Sequence, residues 1–94
     1  MLKIESEKLL ERKLKKGVEK LGGQSIKLLS THLTGLPDRL CLLPGGVLFF
    51  AEIKTTKKAA KKIQLLVHSQ LRKLGFKVHV IDTSEQIKNI LEKC

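Results

Sequence analysis

Pro44-Gly45-Gly46 stands between two strongly apolar segments, Asp38–Leu43 and Val47–Lys54, and this arrangement constrains the fold more than any other stretch of the chain. Apolar runs on either side of such a stop signal a β-hairpin. With a three-residue loop in which Gly46 takes the left-handed position, Leu43 pairs with Val47. Counting back along that register sets Asp38 opposite Glu52. Directly opposed residues have Cβ atoms about 4.5–5.5 Å apart, where like charges destabilise a sheet. A two-residue Gly45-Gly46 turn would instead set Arg39 against Glu52 as an ion pair. Proline at the leading position of the loop favours the first register.

Two carboxylates side by side at the end of an apolar hairpin need a reason, and a bound divalent cation supplies one. Hard oxygen ligands suit Mg²⁺ or Mn²⁺, which also bind substrate phosphate. Alternation along the second strand puts Lys54 on the same face as Glu52. There its ammonium would position or activate an attacking water, or offset charge building on a phosphate. Taken alone, Lys54 is an ordinary solvated charge at a strand end.

The remaining segments read as helices and strands around this hairpin. Ser6 is an N-cap for a helix carrying Leu10, Leu14, Val18 and Leu21, which Gly22-Gly23 stops. A strand from Gln24 to Leu29 leads into a polar loop, Ser30 to Gly35. The Lys-rich stretch Thr55 to Lys62 feeds a second helix with Ile63, Val67, Leu71 and Leu74 at helical period, ended by Gly75. Phe76 to Ile81 reads as a strand with Phe76, Val78 and Val80 on one face. Thr83 and Gln86 make a capping box for a last helix bearing Ile87, Ile90 and Leu91. The order is α-β-β-β-α-β-α, with no internal repeat and no linker. The 94 residues make one domain, 1–94.

Charge narrows the partner. Nineteen Lys and Arg against nine Asp and Glu give a formal +10, which attracts polyanions through counterion release and long-range steering. Nucleic acid leads; an anionic membrane or an acidic protein comes second, and a Lys-rich surface also simply keeps a small protein soluble. Single-strand binders stack bases on exposed aromatics, but Phe49, Phe50 and Phe76 sit in apolar runs that look like core. Duplex or junction DNA gripped by its phosphates fits better. Lys27, Arg39, Lys57, Lys58, Lys61 and Lys62 are the phosphate-contact candidates, the last four also readable as a solvated face. No apolar run approaches the ~20 residues of a membrane span and no signal-peptide pattern opens the chain. A cytosolic protein is the simplest expectation. Cys41 reads as a small buried hydrophobe and Cys94 ends the chain, so neither a disulfide nor a structural zinc is expected. His32, in the loop before Asp38, could approach a phosphate. His68 and His79 read as surface or core-edge groups, since neither has metal-like spacing.

Gly35-Leu36-Pro37-Asp38-Arg39, then Ala51-Glu52-Ile53-Lys54, then Gln64 resemble the PD-(D/E)xK nuclease pattern. More closely, the chain resembles the virus-type replication-repair nuclease domain, VRR-NUC. The likeness runs from the acidic N-terminal helix through the GxPDR loop, the Pro-Gly-Gly hairpin and the ExK strand. It continues through the Gln-bearing helix and Leu74-Gly75-Phe76 to the final Val-rich strand. The resemblance implies an α/β fold with a restriction-endonuclease-like core, a mixed sheet flanked by helices. In it Asp38, Glu52 and the Ile53 backbone carbonyl would hold the metal, Lys54 would act on the nucleophilic water, and Gln64 would support the site. A Glu on the first helix often adds a ligand in this family. Glu7, on the face of Leu10 and Leu14, is the better candidate, and Glu11, at its edge, the lesser one.

The function so implied is a structure-specific DNA endonuclease dependent on Mg²⁺ or Mn²⁺. Small stand-alone members of the family are similar to Holliday-junction resolvases, which cut two symmetry-related strands, and a homodimer would pair two sites on branched duplex DNA. A flap or nick endonuclease is the rival within enzymology. A basic DNA-binding module with structural carboxylates is the rival outside it.

Overall fold

Ser6 opens the first helix as the sequence predicts, its hydroxyl accepting the N–H of Leu9 at 3.1 Å. The computed structural model describes residues 5–29, 34–54 and 61–94. Its elements are α1 (Glu7–Lys20), β1 (Gln24–Lys27), β2 (Arg39–Leu43), a turn over Pro44–Gly46, β3 (Val47–Ile53), α2 (Lys62–Lys73), β4 (Lys77–Ile81) and α3 (Ser84–Glu92). This is the expected order. Thr83 and Gln86 form the capping box of α3, with the Gln86 N–H donating to Thr83 Oγ1 at 3.3 Å and Gln86 Oε1 accepting the Thr83 N–H at 3.1 Å.

The four strands make one mixed sheet in the order β1-β2-β3-β4. β1, β2 and β3 are antiparallel neighbours, while β4 lies parallel to β3, reached through α2. Leu43 pairs with Val47 across the turn, so the register is the one set by a three-residue loop. Both Gly45 and Gly46 take left-handed conformations, φ 82° and 76°, where sequence reading needed only one.

Pairing and alternation decide which side chains each helix covers. Arg39, Cys41 and Leu43 share a face with Phe49, Ala51, Ile53 and Ile81. That face meets Leu10, Leu14 and Val18 of α1 and Ile87 of α3 in a continuous buried core. α1 and α3 approach where Gly17 leaves room for Leu91. Glu5 ties the two helix starts together. It accepts from the Ser84 hydroxyl, from the Ser84 N–H at 2.8 Å and from Lys13 at 3.1 Å, and these bonds hold its pKa down at about 2.

The opposite face carries Phe50, Glu52, Val78 and Val80, and α2 lies over it, packing on β4. Here the sequence expectation is corrected. Ile63 and Leu74, read as core, are 40% and 73% exposed, and Leu21 of the first helix is 44% exposed. The inward face of α2 is turned by one residue, so that Gln64, Val67, His68 and Leu71 look toward the sheet. Phe76 is also more open than expected, packing edge-on against Phe50 with ring centres 6.1 Å apart. Among the described residues no helix is long and apolar enough to cross a membrane.

Candidate active site

The end of the β2–β3 hairpin away from the turn gathers the acidic residues. Ladder pairing stops at Arg39 with Ala51, and the next step of the same register is Asp38 with Glu52. The Asp38 carbonyl accepts the N–H of Leu28 at 2.7 Å, which fastens its backbone toward β1. Its carboxylate reaches the other way and accepts the Ile53 N–H through Oδ2 at 3.3 Å.

Glu52 is 2% exposed. Its Oε2 lies 3.8 Å from the Lys54 ammonium and receives a long contact, 3.4 Å, from the Gln64 amide nitrogen. Its Oε1 is buried and has no hydrogen-bond partner among the described residues. Burial first, then the charge and hydrogen bonding of Asp38, push its pKa up to about 7, with Lys54 pulling the other way. A buried carboxylate oxygen without a donor is costly, and a cation is the group that would satisfy it. The donor set therefore fits a hard divalent ion.

The start of α2 holds this arrangement. The Lys61 N–H donates to Gln64 Oε1 at 3.0 Å, so the oxygen of that amide caps the helix and its NH₂ is left to face Glu52. Gly35, at φ +93°, brings the loop that leads to Asp38 against the same turn. A Cβ there would come within 2.7 Å of the Ile63 carbonyl. Pro37 is fully buried behind it.

Other predicted residues fall elsewhere. Among the described residues no group of three His, Cys, Asp or Glu side chains lies close enough to hold a metal ion. Neither Glu7 nor Glu11 thus joins Asp38 and Glu52 in such a group. Glu7 is half-buried at the first turn of α1. Glu11 lies 3.9 Å from Arg39, whose side chain is only 13% exposed and whose Nε is buried. By alternation Arg39 looks toward α1, away from the Glu52 face. Lys27, Lys61 and Lys62 are exposed. Lys57, Lys58 and His32 lie outside the described residues. Cys41 is buried beside Ser25, 3.8 Å from its hydroxyl, as its apolar setting predicts. His79 stacks edge-on against Phe49.

His68 is the residue sequence reading missed. It is not at the core edge but fully buried, one helical turn after Gln64. That i, i+4 spacing from an inward polar residue was the available signal.

The sheet order, the crossover helix and the acidic hairpin end define a nuclease-type α/β domain. Comparison with known proteins makes the assignment specific. No family model matches the sequence. A solved structure of a VRR_NUC domain superposes with a TM-score of 0.84 at 33% identity, covering 92% of this chain and 94% of that one. The protein named "Putative nuclease p44", from Acyrthosiphon pisum secondary endosymbiont phage 1, is 36% identical over 90 residues, 96% of each chain. The chain belongs to the VRR-NUC family of PD-(D/E)xK nucleases.

Proposed function

We propose that this nuclease is a metal-dependent endonuclease that hydrolyses phosphodiester bonds in branched duplex DNA, as a homodimeric Holliday-junction resolvase. The observation that carries the reading is Glu52 Oε1, a buried carboxylate oxygen without a donor, on a residue whose ionisation Asp38 opposes. Mg²⁺ or Mn²⁺ would be held by Asp38, Glu52 and the Ile53 carbonyl. In an extended strand the N–H and C=O of one residue point to the same side, and the Ile53 N–H points at Asp38. Its carbonyl is thus aimed at the same corner.

The bound ion would supply charge stabilisation on the phosphate and acidity to water. Lys54 lies on the Glu52 face, where its ammonium orients the attacking water or meets charge developing on the phosphate oxygens. Gln64 keeps the Glu52 carboxylate in one orientation. Lys27, Lys61 and Lys62, with Lys57 and Lys58 in the adjoining segment, would grip the DNA phosphates. Exposed Leu65 and Leu66 on α2 offer apolar surface to a second copy.

Purified protein incubated with a four-way junction, a 5′ flap and linear duplex tests the reading. Junction cleavage that stops in EDTA and in Asp38→Ala or Glu52→Ala protein is expected, with DNA binding retained in Ca²⁺. Full activity in EDTA would overturn the metal assignment. Preference for flaps by a monomer would overturn the resolvase assignment alone.

A further inference from the structure

On the α3 side of the sheet, a cleft of about 330 Å³ opens between that helix and the strands β3 and β4. Alternation explains which strand side chains reach it. Lys77 pairs with Phe49 and His79 with Ala51, so both project toward α3. On the helix, Gln86, Asn89, Ile90 and the cap residue Lys93 recur every three or four positions and form one stripe along the same space. The volume lies at the low end of the range for small-molecule sites.

The lining divides by chemistry. Val47 and Ile90 supply apolar surface, and the half-buried His79 ring stands edge-on to Phe49 with centres 5.3 Å apart. Lys77 and Lys93 supply two ammonium groups, neither of them ion-paired among the described residues. Gln86 Oε1 is taken by the N–H groups of Asp82 and Thr83, at 2.7 and 3.1 Å, so its NH₂ is the end left to a ligand. No Asp or Glu side chain lines the cleft among the described residues. Burial lowers the basicity of His79, and the charges that lower it further, Lys77, Arg72 and Lys93, are all cations.

A positive cleft with apolar surface calls for an anion that carries an apolar body. Lysines meet phosphate as point charges, whereas carboxylate recognition favours the arginine fork. Inorganic phosphate alone would leave the apolar part of the lining in water. We propose that the cleft binds a nucleoside monophosphate, with the phosphate at Lys77 and Lys93 and the base over Val47, Ile90 and the His79 ring. The amides of Gln86 and Asn89 pair with the base edge, as such amides do elsewhere. A free nucleotide and the terminal nucleotide of a DNA strand present this same group. Phe49 and Glu52 project to opposite faces of β3, so the site stands or falls apart from the metal assignment.

Deoxyadenosine monophosphate is titrated in EDTA, which keeps divalent ions from the Asp38–Glu52 corner. Calorimetry gives affinity, and amide and imidazole resonances give place. Shifts should fall on residues 77–80 and 86–94 and leave residues 61–68 unmoved. Deoxyadenosine and inorganic phosphate should each bind at least about 10-fold more weakly than the nucleotide. Lys77→Ala and Lys93→Ala should each weaken it by about 10-fold, the worth of one charged hydrogen bond, with melting temperature and DNA cleavage unchanged.

A 5′-phosphorylated single strand that shifts the same residues assigns the ligand to a strand end; one that leaves them unmoved assigns it to a free nucleotide. Inorganic phosphate binding as tightly as the nucleotide, or shifts spread over the lysines of α1 and α2, would mean general attraction to a basic chain and overturn the proposal. Wild-type cleft resonances indifferent to millimolar nucleotide would overturn it as well.

Discussion

The Asp38 carboxylate and the Ile53 N–H meet at 3.3 Å where the β2–β3 ladder has already ended. A side chain has taken over the place of a strand partner. One residue further on, the Lys54 N–H bonds the Ile81 carbonyl at 2.9 Å and turns the backbone toward β4. Consecutive peptides of the Glu-Ile-Lys segment are thus anchored in opposite directions, which fixes the strand end that carries Glu52 and Lys54.

Glu52 should make stability depend on pH. Its pKa is about 7 in the fold against an ordinary 4.5. Below 4.5 the group is protonated in both states, and between 4.5 and about 7 the unfolded chain gives up its proton first. Above that, both are ionised and the fold carries the whole cost, about 3 kcal/mol. Stability from this group therefore falls as pH rises from about 4.5 to about 7 and is level beyond. Glu52→Gln should match wild type at pH 4 and melt several degrees higher at pH 8. Mg²⁺ should raise the melting temperature of wild type at pH 8 but not that of Glu52→Gln. Equal melting curves for the two proteins at pH 8 would count against the strained carboxylate.

Lys54→Ala should lower turnover at least about 100-fold with DNA affinity little altered, since the ammonium is assigned to the chemical step. Lys54→Arg should recover little, because a planar fork cannot stand in for a compact point charge. A wild-type single-turnover rate in Lys54→Ala would leave this residue as a strand-end charge.

Gly35 and Gly45 have similar φ values, +93° and +82°, but only Gly35 is crowded. Gly45→Ala meets nothing within 4 Å, so it should cost about 1 kcal/mol of backbone strain and leave cleavage intact. Gly35→Ala must also displace the Ile63 carbonyl, and should destabilise by about 2–4 kcal/mol while impairing cleavage through Asp38. Urea melts and turnover of the pair provide the check. Equal behaviour would mean that the loop is not held by α2.

Affinity for junction DNA should fall steeply with salt as neutralised phosphates release their counterions. Reversing the charges of Lys57, Lys58, Lys61 and Lys62 should reduce the log–log slope by about 0.9 for each phosphate no longer neutralised. An unchanged slope would locate the DNA on another surface.

Two matched incisions need two sites. Co-expressed, differently tagged wild-type and Glu52→Ala subunits should form heterodimers that leave single nicks in a junction. Double cuts by isolated heterodimers would show that one site serves both strands.

The hairpin and its two carboxylates were legible because loop length fixes register and register fixes which side chains oppose. Caps and glycine stops likewise marked the helices. The inward face of α2 was not legible from periodicity, because apolar spacing selects Ile63 and Leu74 while the fold turns Gln64 and His68 inward. A helix that serves a polar site breaks the pattern by which buried faces are recognised. Arg39 misled for a related reason. Alternation sends it to the α1 side, where Glu11 meets it, although its neighbour Asp38 turns toward Ile53 at the Glu52 end of β3.

The Pro44–Gly46 turn lies at the far end of the hairpin from all of this. Glu52 is five residues along β3 from Val47, a separation of roughly 17 Å at the rise of an extended strand. Gly45 and Gly46 face open space. A fluorophore, an affinity tag or a whole guest domain spliced at this tip would sit at the turn between the two inner strands of the sheet without reaching the Asp38–Glu52 corner. The nuclease could thus be tethered, tracked or aimed at chosen DNA by chemistry added where its own chemistry is absent.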